Sequence, residues 1–306
     1  MDTGHIPEFP NFTKLHLDHQ QAINHFTSQF PSYSDFNFTS MYAWDTNETT
    51  EISLLNNNLI LKLPDYLTGE VTYSVLGREK ANETATNLLD ILSQSDVQKT
   101  LHFVPEVFCT NLDPKQFQII EDHDDYDYIY LVEDLAHLRG KKYIKIKQAA
   151  NAFLRDYPNT KVESVEISQE INQQAIMHIV DQWAKNKTFT NRREFFEKIA
   201  IQRLLGNSQH FDLITLLLWV GKEPVGFSIS QKLPNSQAIG HFEKADISYK
   251  NAFAYIRRAT NQAFLDRGLQ TVNYEQDLGL EGLRLAKKKY KPIGYLKKYD
   301  IVKAPS

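Results

Sequence analysis

Residues 213–231 read LITLLLWVGKEPVGFSISQ, two apolar segments joined by a short polar link. The first, Leu213–Val220, is interrupted by Thr215 and is far too short to cross a bilayer as a helix, so it has the character of a buried strand. Gly221-Lys222 favours a tight turn into the second strand, Pro224–Gln231. A third strand follows at Ala238–Asp246. The stretch therefore predicts a meander of antiparallel strands.

On both sides of this meander the sequence alternates between helical and strand patterns. The strand–helix–strand order after the meander favours parallel pairing there. The elements predicted around it are a strand at Lys161–Ile167, helices at Gln169–Lys185 and Arg192–Gly206, a helix at Tyr249–Arg267, a strand at Leu269–Glu275, a helix at Leu280–Tyr290 and a strand at Tyr295–Val302.

The first half of the chain contains its own strands and helices. Ile52–Leu55 and Leu59–Leu63 flank three asparagines that tolerate tight-turn conformations, which predicts a hairpin. Apolar residues at helical spacing predict a helix over Gly140–Asp156, and Pro158-Asn159 interrupts the chain after it. With 306 residues we expect two domains, 1–158 and 159–306. Further helices are predicted at Phe38–Trp44 and Ala81–Ser93.

The composition excludes several classes of protein. A formal charge of −4 and a pI near 6.2 give no overall attraction to nucleic acid or anionic lipid. The segment Met1–Phe12 lacks the basic and apolar regions of a secretory signal, so we expect a cytoplasmic protein. The single cysteine, Cys109, excludes an internal disulfide and is expected to be a packed side chain. We predict no metal site, and we interpret the acidic run Glu121–Asp127 as a solvated turn.

The densest sets of polar residues lie at the ends of two predicted strands, in HFEKAD (241–246) and NYEQDLG (273–279). Ligands of open α/β sheets bind beyond the carboxyl ends of strands, and neighbouring carboxylates there can form a general base. Alternation along a strand predicts that His241 and Glu243 share one face, and that Glu275 and Asp277 project together. In the helix that follows, Arg284 and Lys287 share a face that suits a phosphate. A structural alternative is that Asp277 caps that helix and Glu275 pairs with Lys244 or Arg284.

Several long segments of this sequence, in this order, resemble one known family, that of the phosphatidylglycerol lysyltransferase C-terminal domain. The segments are Phe30-Pro31, SDFNFTSMYAW (34–44), LRGKKY (138–143), HFEKAD (241–246) and NYEQDLGLEGLR (273–284) with Lys287, Tyr290 and Pro292. The resemblance covers nearly the whole chain. It implies an α/β fold of two tandem GNAT-like domains, each with a mixed, mostly antiparallel sheet flanked by helices, related to the Fem aminoacyltransferases.

The resemblance also implies a reaction, because membrane members of the family transfer an aminoacyl group from charged tRNA to a lipid hydroxyl. This sequence lacks the multi-span region of those enzymes, so the acceptor is left open as a small molecule, a lipid or a peptide. Carried onto this sequence, Glu243, Glu275 and Asp277 are candidates for the base or for ammonium recognition. Lys244, Arg284 and Lys287 are candidates for binding an oxyanion or a phosphate, and His241 and Asn273 for binding substrate.

The sequence leaves two other functions open. An acetyl-CoA-dependent N-acetyltransferase of this fold uses a glycine-containing turn that holds the pyrophosphate, but residues 246–251 here, DISYKN, contain no glycine. Aminoacyl-tRNA is therefore the favoured donor, and no bound cofactor is expected. The third possibility is a non-catalytic module that binds an aminoacyl or peptide group.

Overall fold

The fold consists of two seven-stranded mixed sheets, each flanked by helices. The computed structural model describes residues 5–93, 99–185 and 192–305. The strands are β1 (Thr13–Lys14), β2 (Glu51–Leu55), β3 (Asn58–Pro64), β4 (Val71–Leu76), β5 (Leu101–Pro105), β6 (Phe117–Glu121), β7 (Asp127–Leu131), β8 (Thr160–Ser164), β9 (Leu213–Val220), β10 (Glu223–Leu233), β11 (Gln237–Ala245), β12 (Thr271–Asn273), β13 (Gly294–Leu296) and β14 (Lys298–Lys303).

The helices pack around and between the sheets. They are α1 (Gln20–Thr27), α2 (Phe38–Trp44), α3 (Ala81–Ser93), α4 (Glu106–Cys109), α5 (Val132–His137), α6 (Ile144–Asp156), α7 (Glu170–Lys185), α8 (Arg192–Gly206), α9 (Ala252–Leu265) and α10 (Glu281–Lys289). Among the described residues no helix combines the length and the apolar character needed to span a bilayer.

The first sheet has the strand order β1-β2-β3-β4-β5-β14-β6, and the second has the order β13-β7-β12-β11-β10-β9-β8. Pairing is antiparallel except between β4 and β5 and between β11 and β12. The predicted meander is thus confirmed as β9, β10 and β11 at consecutive positions in the second sheet. The expected α/β class, with two mixed and mostly antiparallel sheets, is confirmed as well.

The chain passes between the two sheets at places that the sequence did not indicate. β7 precedes residue 158 but pairs with β12 and β13 in the second sheet. The predicted strand Tyr295–Val302 is two strands, β13 in the second sheet and β14 between β5 and β6 in the first. A domain boundary after residue 158 therefore does not coincide with the division between the sheets, because the C-terminal strand returns to the first one.

Local sequence explains the elements that were predicted well. In the β2–β3 hairpin, Leu55 pairs with Asn58, so that Asn56 and Asn57 form the turn. Both have positive φ, 52° and 59°, a conformation that asparagine adopts more readily than most residues. The hairpin prediction is confirmed for this reason.

One of the apolar clusters joins the two halves of the chain. It combines buried residues of the first half, such as Ile52 and Phe38, with residues of the second sheet and its helices, such as Phe227 and Ile179. The ring of Trp44 in α2 lies 5.7 Å from that of Phe242 in β11. Helix α2 is thereby held against the second sheet, and with it Ser40 of the same helix.

Candidate functional site

Strands β11 and β12 separate at the point where the candidate residues begin. Their parallel pairing runs from Gln237–Thr271 to Ile239–Asn273. Beyond it, β11 continues along β10. The segment that follows β12, residues 274–280, is irregular, and in it Glu275 and Leu278 have positive φ. Diverging parallel strands leave a crevice at their carboxyl ends, the usual place for a ligand in an α/β sheet.

A histidine, a serine and a glutamate meet inside this crevice. Ser40 Oγ, from α2, lies 3.1 Å from His241 Nδ1 and 3.3 Å from Glu275 Oε1. His241 Nδ1 and Glu275 Oε1 are 3.7 Å apart. All three side chains are buried, and His241 Nε2 has no hydrogen-bond partner. The serine hydroxyl therefore connects two groups that can each accept a proton.

The backbone at His241 explains why its side chain lies there. Ile229 of β10 pairs with Phe242, but the next residue, Ser230, pairs with Gly240, so His241 is the extra residue of a β-bulge. The expectation that His241 and Glu243 lie side by side on one face is wrong, because the bulge interrupts the alternation. His241 contacts Ser40 of α2, whereas Glu243 contacts Arg257 of α9.

A cavity of about 10 Å³ adjoins this group. Glu275, Ser40 and Gln276 line it together with the aromatic side chains Trp44 and Tyr66. Its volume corresponds to about one water molecule. The cavity is thus a small space between the sheets that is lined by polar side chains and, on one side, by aromatic rings.

Next to this cavity a lysine is buried between the two sheets. Lys298, the first residue of β14, is fully buried and forms ion pairs with Asp35 and with Asp127, the first residue of β7, where the Nζ–Oδ1 distance is 2.9 Å. Burial lowers the pKa of Lys298, but the carboxylates of Asp127 and Asp35 outweigh it, and the pKa lies above its ordinary value. Burial raises the pKa of Asp35 in spite of the neighbouring lysine. This ion cluster joins the first sheet to the second.

Hydrogen bonds connect the lysine cluster with the cavity. Ser34 Oγ donates to Asp127 Oδ1 at 2.6 Å, and Gln276 Nε2 donates to Asp35 Oδ1 at 3.1 Å. Asn273 Nδ2 donates to Asp127 Oδ2 at 3.0 Å. Asn273, expected to bind substrate, therefore supports the buried cluster, and Ser34 and Gln276 belong both to the cluster and to the cavity wall.

Two of the predicted residues are held in ion pairs with helices. Arg257 Nε donates to Glu243 Oε1 at 2.8 Å, and its guanidinium lies 3.7 Å from the centre of the Tyr274 ring. Burial raises the pKa of Glu243, although Arg257 acts against it. Lys244 Nζ lies 2.6 Å from Glu197 Oε1. Neither Glu243 nor Lys244 lines the cavity beside Ser40.

Asp277 is the centre of a separate, closed group of hydrogen bonds. Arg284 donates to both of its carboxylate oxygens, at 2.9 and 3.0 Å, and Tyr128 donates to Oδ2 at 2.5 Å. Burial alone would raise the pKa of Asp277, but the hydrogen bonds from Arg284 and Tyr128 bring it below its ordinary value. The carboxylate is thus held ionised, and Arg284 also pairs with Asp124.

The positions of Glu275 and Asp277 differ from the prediction. Strand β12 ends at Asn273 rather than at Glu275, so the two acidic side chains do not project together. Glu275 contacts Ser40, whereas Asp277 contacts Tyr128 and Arg284. Lys287 donates to the carbonyl oxygens of Tyr274 and Glu275, and therefore supports the backbone of the segment.

Sequence reasoning missed several members of the site. Ser34, Asp35 and Ser40 lie in the SDFNFTS segment quoted for the resemblance, but nothing in their local pattern indicates that they are buried. Asp125 and Asp127 are buried too, so the interpretation of Glu121–Asp127 as a solvated turn is wrong for these two. Burial raises the pKa of Asp125 well above its ordinary value. Tertiary partners far away in the sequence decide these positions.

The chemical groups at the site determine whether it can bind a metal ion or a polar substrate. Within the described ranges, no group of three or more His, Cys, Asp or Glu side chains is arranged to bind a metal ion. The residues around the cavity instead offer hydroxyl, amide, imidazole and carboxylate groups at hydrogen-bonding distance. Such groups suit proton transfer and the binding of a polar substrate.

Comparison with known proteins identifies the family. The family described as phosphatidylglycerol lysyltransferase, C-terminal, matches residues 27–302, and the chain belongs to it. None of the curated proteins matches the chain significantly.

Among the solved structures that match the chain, three illustrate the shared fold. A conserved protein of unknown function from Bacteroides thetaiotaomicron has 24% identity and a TM-score of 0.80, over 96% of this chain and 99% of that one. The L-PGS of Bacillus licheniformis has 14% identity and a TM-score of 0.62, over 97% and 93% of the two chains. FemX has 10% identity and a TM-score of 0.54, over 95% and 96%.

Proposed function

We propose that this protein is an acyltransferase that moves an aminoacyl group from charged tRNA to an amine or hydroxyl acceptor. The observation that carries the proposal is the buried contact of Ser40 with both His241 and Glu275, beside a cavity between the two sheets. Membership of a family named for a lysyltransferase supports the same class of reaction.

The chemistry assigns each group a task. The acceptor nitrogen or oxygen attacks the ester carbonyl of the donor and loses a proton, and the bond between the carbonyl carbon and the ribose oxygen then breaks. Glu275 is the proposed base that takes the proton from the acceptor. Ser40 and His241 then relay a proton to the departing ribose oxygen. A positioned base contributes about 10²- to 10⁴-fold to such a rate.

Two features support charged tRNA rather than acetyl-CoA as the donor. The link before α9, Asp246–Asn251, contains no glycine where a pyrophosphate-binding turn would need its backbone to approach the ligand closely. At the C-terminal end of α10, Lys288 and Lys289 are exposed, where they can contact nucleic-acid phosphates.

The cavity is small compared with the proposed donor. A space for about one water molecule cannot hold an aminoacyl group, so a bound donor must displace part of the wall. Trp44 and Tyr66 are partly exposed and form that wall. We therefore expect these two aromatic side chains to change position when the donor binds.

The same small cavity favours one alternative, a module that binds an aminoacyl or peptide group without reacting with it. Glu243, Lys244 and Asp277 are already engaged in ion pairs, as expected for side chains with a structural role.

The experiment is a donor assay on the whole chain. A pool of tRNA charged with labelled amino acids is incubated with the protein and a mixture of amine and hydroxyl acceptors, and a parallel reaction contains labelled acetyl-CoA. We expect protein-dependent loss of the aminoacyl ester and a new labelled product. Labelled product from acetyl-CoA alone would contradict the donor assignment, and specific tRNA binding without turnover would support the binding module.

A further inference from the structure

A second, larger cavity lies on the other side of the 31–37 segment, and we propose that it binds a neutral carbohydrate. Its volume is about 260 Å³, and it lies between the last turn of α1, residues 31–37 and the end of β10. This proposal does not depend on the proposed function, because it concerns binding alone.

The lining of this groove combines polar and apolar groups and is almost uncharged. Seven of its side chains carry an amide or a hydroxyl, namely Asn24, Thr27, Ser28, Ser32, Tyr33, Asn37 and Gln231. Among the described residues that line it, Lys232 is the one charged side chain. Amides and hydroxyls donate and accept hydrogen bonds at once, which matches the paired donor and acceptor character of sugar hydroxyls. Pro31, Phe36 and Leu233 add an apolar surface for the C–H face of a ring.

The direction of α1 argues against an anionic ligand. Asn24, Thr27 and Ser28 belong to the C-terminal end of this helix, Gln20–Thr27 and its cap. The C-terminal end of a helix carries partial negative charge, which disfavours phosphate or carboxylate. Lys232 is exposed, so its charge is screened by solvent. A cation is disfavoured as well, since the lining residues include Lys232 and no carboxylate among those described.

The pairing of β10 argues against an extended peptide. A bound peptide strand gains affinity from a free sheet edge. Here β10 is paired on both edges up to Gln231, with Ile239 of β11 and Leu213 of β9, and Leu233 is paired with Gln237 of β11, so only the two-residue end of β10 has an open edge toward β9. The groove therefore presents side chains rather than a strand edge. A compact polyol such as a single sugar ring fits this arrangement and the volume better than a peptide does.

One residue connects the groove with the catalytic candidates. Asn37 lines the groove and donates from Nδ2 to Gln231 Oε1 at 3.2 Å. Its Oδ1 accepts from the backbone N–H of Ser40 at 3.0 Å, which caps α2. A sugar bound to Asn37 and Gln231 would thus rest against the helix end that positions the Ser40 hydroxyl.

The test is ligand-observed NMR and calorimetric titration of the whole chain with N-acetylglucosamine, N-acetylgalactosamine, glucose and galactose. We expect saturable binding of at least one of these sugars. Asn24→Leu and Thr27→Val each remove one hydrogen-bonding group from a position on α1, and each should weaken binding about fivefold. Asn11→Leu, a change at an exposed asparagine outside the groove, should leave the affinity unchanged.

Three outcomes would overturn the proposal. They are the absence of saturable binding for all four sugars, equal affinity in wild type and the Asn24→Leu/Thr27→Val double variant, and displacement of the bound sugar by inorganic phosphate. Circular dichroism of each variant establishes that the fold is retained, so a loss of binding is assigned to the groove. Because no donor or turnover enters this measurement, its failure is distinct from a failure of the transferase proposal.

Discussion

The hydroxyl oxygen of Ser40 lies 3.1 Å from Nδ1 of His241, although 201 positions separate the two residues in the chain. The contact exists because α2 packs on the second sheet through Trp44 and because a bulge in β11 redirects the histidine. It joins the two halves of the molecule at the place where β11 and β12 separate.

The first prediction concerns Gly240, which precedes the bulge. A Cβ at this position would lie 2.6 Å from the Tyr274 ring, and that ring stacks on Arg257. We expect Gly240→Ala to displace the ring and to lower the free energy of unfolding by about 1–3 kcal/mol. Urea unfolding followed by circular dichroism measures this free energy.

A matched control is available in α10. An added Cβ at Gly282 meets no atom within 4 Å, so Gly282→Ala should leave the protein equally stable or more stable by up to about 1 kcal/mol. Equal stability of Gly240→Ala and wild type would contradict the packing described for Tyr274.

The second prediction concerns Lys298. Lys298→Met leaves Asp35 and Asp127 buried without a counter-charge, which should lower the free energy of unfolding at neutral pH by about 3–5 kcal/mol. Because the pKa of Asp35 is already raised, lowering the pH protonates this carboxyl and should reduce the loss. Denaturant titrations at several pH values provide the measurement.

Lys303→Met serves as the comparison, since this lysine lies in the same strand but forms an exposed pair with Asp90. It should change stability little. If Lys298→Met and Lys303→Met had the same effect, the buried cluster would not hold the sheets together. The triple variant with Asp35→Asn and Asp127→Asn should recover part of the stability.

The third prediction concerns Asp277, whose pKa lies below its ordinary value of 3.8. A depressed pKa means that the ionised group stabilises the fold above the unfolded-state value, and that this contribution is lost as the pH falls through the folded-state value. Asp277→Asn should therefore lower stability at neutral pH by about 1–3 kcal/mol, with a difference from wild type that shrinks below about pH 4.

The test of this pH dependence is to measure the free energy of unfolding of wild type and Asp277→Asn, from pH 7 down to the lowest pH at which unfolding is still cooperative. Asp266→Asn, at an exposed position, is the control and should not alter the pH dependence. A difference that stays constant down to the acid limit would mean that the hydrogen bonds to Asp277 do not depend on its charge.

Much of the fold could be predicted from local patterns. Helices α2 and α3 begin and end at the predicted residues, and the β2–β3 hairpin follows from its asparagines. These features depend on periodicity and turn chemistry within a few residues. The crossing at Lys297, which sends β14 into the first sheet, depends on which strands have free edges in the completed fold, and no break in the sequence marks it.

The site was only partly predictable, because many of its contacts join residues that are distant in the sequence. The sequence indicated the region where β11 and β12 end, although not the last residue of either strand, and His241 and Glu275 do lie close together there. The partners of the other charged residues are distant in sequence, as with Glu243 and Arg257 or Lys244 and Glu197. A bulge and two positive φ angles changed the directions of side chains that simple alternation had placed together.

The most direct test of the account compares Glu275→Gln with Glu51→Gln in the release and transfer of labelled amino acid from the charged tRNA pool. Glu51 lies in β2 and pairs with Lys62 at the surface of the first sheet, so its variant controls for the loss of a carboxylate elsewhere. We predict that Glu275→Gln lowers the rate by about 100-fold or more while Glu51→Gln keeps it. A folded Glu275→Gln variant with the wild-type rate would contradict the assignment of the reaction to this site.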